Sequence, residues 1–120
     1  MSAPVAEPMI EAELWVSFVS LLRAYFAVGA LDGATVVHIE TSESSIILTA
    51  DVARLEMRCD PQTGEGNWLL KNSAAMSQGR FTLMPDGRLD LDGKTLELDH
   101  AAIDLVAALM RVSTSARNEI

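Results

Sequence analysis

Four carboxylates gather around two glycines late in the chain: Asp86, Asp90, Asp92 and Glu97 lie near Gly87 and Gly93. Calcium binding is the chemistry such a cluster could perform, because a hard cation collects carboxylate oxygens and an EF-hand loop carries glycine at its sixth position. With Gly93 at that position the first ligand would be Arg88 and the last Asp99. Arginine cannot ligate a cation, and the alternating Leu89 and Leu91 demand extended backbone where a calcium loop must curl. The aspartates are therefore expected as turn residues and a solvated strand face.

The remaining reactive side chains are isolated. His38 and His100 are the only histidines, and a zinc site would have to add carboxylates that nothing nearby supplies. His38 shares a strand face with Val36 and Glu40, opposite Val37 and Ile39, which puts it on the wet side of a sheet. Cys59 closes an apolar strand face and reads as a core thiol, although Arg58 and the loop after it would favour a thiolate. No serine sits in a Gly-x-Ser-x-Gly setting, and the glycines form neither a dinucleotide fingerprint nor a phosphate loop. No catalytic residue, metal or cofactor is assigned, and an enzyme is the third choice of function.

The elements that would carry these residues are better marked. Phe81 and Leu83, Leu89 and Leu91, and Leu96 and Leu98 are each spaced by two, with Pro85-Asp86-Gly87 and Asp92-Gly93 in the gaps. Period two puts each pair on one strand face, and Asp-Gly suits a tight turn because glycine adopts positive φ without steric cost. Upstream, Ala34 to Glu40 and Ser45 to Ala50 are rich in β-branched residues around the polar Thr41 to Ser44. Val52 to Cys59 alternates, with Ala53, Leu55, Met57 and Cys59 on one side and Arg54, Glu56 and Arg58 on the other. One buried and one wet face is the mark of an antiparallel sheet. The polar loop Asp60 to Gly66 follows. Beyond it, Trp68 to Lys71 suit a strand over 67–72 with a loop over Ser73 to Gln78, whereas Leu70, Lys71, Ala74, Ala75 and Met76 also allow a short helix.

Helices are expected at both ends. The first runs from Met9 to Val28, opened by Pro8 and stopped by a left-handed cap at Gly29, with a turn at Asp32-Gly33. Its apolar face is wide, including Leu14, Trp15, Phe18, Leu22, Tyr25 and Phe26, while Glu13, Ser17, Ser20 and Arg23 form a narrow stripe in water. The second spans residues 100–112 behind a cap at Asp99. Gly93 to Asp99, followed by Ala102, Leu105 and Leu109, resembles the strand-to-helix passage of response-regulator winged-helix domains over about 20 residues of common amphipathic pattern. No recognition helix or wing follows and the charge is wrong for DNA, so that family is not adopted. In size and acidity alone the chain is similar to small secretion chaperones, which are acidic α+β homodimers.

At 120 residues, with 9 basic and 17 acidic side chains and a net charge of −8, the chain is long enough to bury ~65% of its unfolded surface. The acidic balance argues against nucleic acid and anionic lipid as partners. One cysteine allows no internal disulfide and suits a reducing compartment. Leu14 to Leu31 is mostly apolar but is preceded by Glu7, Glu11 and Glu13 rather than by basic residues. A spanning helix would bury Arg23 at a cost of ~2.5–3.5 kcal/mol. The expected location is cytoplasmic, without membrane contact.

These readings combine into an α+β fold: an antiparallel meander of about six or seven strands with N-terminal and C-terminal helices on one face. Residues 1–8 and 113–120 are flexible tails around a single domain, 9–112. The expected function is a non-catalytic protein-interaction or assembly module, a homodimer using part of the first helix or a sheet edge. Arg54 and Arg58, the local basic doublet, and Trp15 and Phe18, on the wide helical face, are the candidate contact residues. The alternative is a small apolar ligand held between helices and sheet, lined by Trp68, Met57 and Phe26.

Overall fold

A computed structural model describes residues 9–30 and 36–118. The expected N-terminal tail and the Asp32-Gly33 turn lie outside the described residues. The elements run α1 (Met9–Ala30), β1 (Val37–Thr41), β2 (Ser45–Ala50), β3 (Ala53–Cys59), β4 (Glu65–Lys71), β5 (Met76–Leu83), β6 (Arg88–Leu91), β7 (Lys94–Glu97) and α2 (Leu98–Asn118). The seven strands form one antiparallel sheet in sequence order, and both helices pack on a single face of it. The fold is the expected α+β meander.

The turns follow from side chains that can hold them. Asp92 and Gly93 both have positive φ, 53° and 90°, the pair that a two-residue type I′ hairpin requires. Asp51, at φ 56°, turns β2 into β3. Its Oδ1 accepts the Val36 N–H at 3.1 Å, and its Oδ2 accepts the Ser113 hydroxyl at 3.2 Å. One aspartate thus ties the start of β1 to the far end of α2.

Two glycines make room for aromatic rings on the helix-facing side of the sheet. Gly66 pairs with Phe81 and Gly79 with Trp68 across β4 and β5. A Cβ on Gly66 would lie 2.5 Å from the Phe81 ring, so the ring lies over bare backbone and the glycine is covered in return. Trp15 of α1 stacks on the same Phe81, with centroids 6.1 Å apart and 17° between planes, and Phe18 completes the trio at 6.4 Å from each. The Trp15 indole N–H is satisfied by the Glu43 carbonyl at 3.1 Å. Leu22, Phe26, Leu48, Leu55, Met57, Leu83, Leu89 and Leu109 fill the layer behind this trio.

Several boundaries differ from expectation. β4 and β5 meet in a short turn because Asn72 Oδ1 accepts the N–H groups of Ala74 and Ala75, both at 2.8 Å. Residues 76–78 are therefore strand rather than loop. Gly29 is helical, not a left-handed cap, and lies 3.6 Å and 3.8 Å, measured from an added Cβ, from side-chain atoms of Met110 and Val106. Asp99 sits inside the first turn of α2, which starts at Leu98, where its charge complements the helix dipole. α2 also runs on to Asn118, so the expected tail from 113 is helical through that residue. Buried Ser113, bonded to Asp51, continues its packing. The first strand, Val37–Thr41, ends one residue beyond the expected Glu40 and leaves Val36 outside it, while its expected start at Ala34 lies outside the described residues.

Candidate interaction surfaces

α1 divides its side chains sharply. Trp15, Phe18, Leu22 and Phe26 are at most 2% exposed. On the opposite side Val16 and Val28 are 63% and 64% exposed and Ile10 41%, in a strip shared with Glu13, Ser17, Ser20, Arg23, Ala24 and Ala27. The aromatic candidates Trp15 and Phe18 therefore face inward, and a partner would meet aliphatic and small residues. The signal was present in the sequence, since Val16, Ala24 and Ala27 fall at the same helical angles as the polar stripe. By length and a mean hydropathy of 1.3 the segment Ile10–Ala30 could also cross a membrane, although its four large inward side chains already pack on the sheet.

The second open region is β1. Register places Val37 and Ile39 opposite Ala50 and Leu48 on the helix-facing side, yet they are 44% and 37% exposed because the helices do not reach this edge. His38 and Glu40 occupy the other side, 3.9 Å apart, so His38 is on the wet face. Being first in strand order, β1 also has one side without a neighbouring strand among the described residues, a row of backbone groups able to pair with another strand.

The outer face of the sheet carries the basic candidates. Arg54 Nε lies 2.8 Å from Glu56 Oε2, two residues along the same strand. The approach is off the N–H axis, leaving Nε without a hydrogen bond although it is buried; the contact is coulombic only. Arg58 is exposed, and register aligns it with Asn67 and Arg80 across β3, β4 and β5. Beside this row, Asp60, Thr63, Glu65, Asn67, Arg80 and Thr82 line an open polar groove of about 570 Å³. It offers donors and acceptors of both charges and little apolar wall. The row became visible only with the strand register, because its residues come from three separate strands.

The ligand-lining candidates are dispersed in role. Met57 and Phe26 belong to the packed core, at 0% and 1% exposure. Trp68 is half-buried beside Met57 in register, and its indole N–H donates to Asp92 Oδ2 at 3.0 Å while Asp92 Oδ1 accepts the Arg80 N–H at 2.9 Å. Asp92 thus pins the β6–β7 turn over β4 and β5. Two other late carboxylates also hold turns: Asp86 accepts from the Arg88 N–H at 3.0 Å and Asp90 from the Gly93 N–H at 2.7 Å. Among the described residues no three metal-ligating side chains converge.

Cys59 is 4% exposed and donates weakly to the Asp60 carbonyl at 3.6 Å. Burial, and then the neighbouring Asp60 carboxylate, push its thiol up to about 11. Any lowering by Arg58 is outweighed, because Arg58 points to the opposite face of the strand. The thiol is held as an inert hydrophobe.

Compared with protein-family models, curated proteins and solved structures, the chain matches none.

Proposed function

We infer that this protein is a non-catalytic interaction module that works as a homodimer. The observation that carries the reading is the outward strip of α1, where aliphatic side chains stay open on a helix that buries Trp15, Phe18, Leu22 and Phe26 on its other side. Interfaces of stable dimers are apolar at their centre and depleted of charge there. The acidic surface and single buried thiol suit a reducing, cytoplasmic setting, with a protein or a second copy as partner rather than nucleic acid or lipid. Sedimentation equilibrium over a concentration series tests this. A dimer with a dissociation constant in the micromolar range or tighter is expected, and a monomer at all concentrations overturns the reading.

A further inference from the structure

We propose that α1 pairs with the α1 of a second copy, antiparallel about a two-fold axis at the level of residue 18, so that Glu13 of each protomer faces the partner's Arg23. This rests on the homodimer reading and specifies its geometry.

The placement of charge on α1 defines the pairing. At 100° per residue the exposed positions from Ile10 to Val28 fall within a strip about 140° wide. That strip holds two charged side chains, Glu13 and Arg23. Neither has an ion-pair partner among the described residues. Ten residues separate them, ~15 Å along the axis, and their midpoint is residue 18. A parallel pair of these helices would set Glu13 beside the partner's Glu13 and Arg23 beside the partner's Arg23. The antiparallel arrangement converts both repulsions into attractions, and it also opposes the helix dipoles. The charges therefore select both orientation and register, in the way a self-complementary two-fold contact requires.

The shape of the strip agrees. An open, almost wholly apolar hollow of about 390 Å³ is lined by Ala12, Glu13, Val16 and Ser17. Under the proposed two-fold it lies opposite the partner's Arg23 and Ala24, whose alkyl stem and methyl group fill it while the guanidinium meets Glu13 at the rim. Between the charged ends Ser17 and Ser20 present small side chains, so the helices can approach closely.

The test is a charge-swap cycle read by sedimentation equilibrium on the full chain: wild type, Glu13→Arg, Arg23→Glu and the double variant. Each single reversal places like charges together at two symmetric points and should weaken the dimer by about tenfold. The double variant should recover wild-type affinity to within about threefold. Both positions are exposed, so circular dichroism melting should show all four proteins equally folded. A dimer indifferent to all three substitutions overturns this geometry while leaving the homodimer reading standing, with the β1 edge as the seam. A wild-type monomer overturns both. Flotation of a monomeric wild type with neutral phosphatidylcholine vesicles overturns them in favour of a bilayer on the same strip.

Discussion

α1 and α2 lie against one another on the same sheet face, yet their outward sides differ. α2 turns Asp99, His100, Asp104 and Arg111 to solvent, with Ile103 and Ala107 among them. α1 is longer by one residue and exposes Val16, Val28, Ile10, alanines and serines around two isolated charges. The inward sides are equivalent, with Leu22 and Phe26 on one helix matched by Leu105 and Leu109 on the other. Folding therefore accounts for one side of each helix. The outward side of α2 is mostly polar, and that of α1 is mostly aliphatic and small.

Substitutions on the inward sides carry the largest expected effects. Leu22→Asp and Leu105→Asp should each abolish folding, since an unpaired carboxylate would replace a side chain 0% or 5% exposed at a cost above ~4 kcal/mol. Loss of the cooperative melt by circular dichroism is expected for both. A folded, soluble Leu105→Asp protein would show that α2 only rests on the sheet while α1 holds it.

The inward sides were legible in the sequence, and the outward ones only partly. Period-two leucines and Asp-Gly turns placed β6 and β7, and the alternation of Ala53 to Cys59 assigned the buried face of β3, because both are local patterns. Boundaries set by distant contacts were not legible. Helix α2 continues past Val112 because Ser113 meets Asp51, 62 residues away, and Gly29 stays helical against Val106 and Met110. The aromatics opposite Gly66 and Gly79 needed the register of β4 and β5. For the candidate surface, the polar stripe of α1 was visible, but Trp15 and Phe18 were its most conspicuous residues and tertiary packing turned both inward.

Cys59 probes the floor on which both helices stand. Its folded pKa is raised from 9.0 to about 11, so the folded state holds its proton where the unfolded chain loses it. Stability from this group is intact below pH ~9 and falls as pH rises through the window up to ~11, by on the order of 2 kcal/mol. Replacing Cys59 with Ala should remove that part of the alkaline decline in urea melts. Rapid labelling of the native thiol at neutral pH would instead show that the floor opens.

Gly29 tests the seam between the helices. A Cβ there would meet Met110 and Val106 at 3.6 and 3.8 Å, ordinary contact distances, and alanine favours a helix over glycine by ~0.5–1 kcal/mol. Gly29→Ala should therefore raise stability by about that amount in chemical denaturation. A loss would mean that α1 and α2 are pressed together more tightly than these distances indicate.

The smallest effect on folding separates the outward sides most cleanly. Val16→Lys and Ile103→Lys each place a lysine at an exposed aliphatic position, 63% and 42% open respectively, and each should change unfolding free energy by less than ~0.5 kcal/mol. Their effects on association should diverge. Val16 borders the hollow beside Glu13, so a buried ammonium there would stand near the partner's Arg23 and disrupt the dimer. Ile103 lies on a helix face already shared with Asp99 and Asp104, where a lysine is one more solvated charge and the dimer should persist. Equal sedimentation of the two variants would erase the distinction between the helices, because exposure of an aliphatic side chain would then carry the same meaning on both.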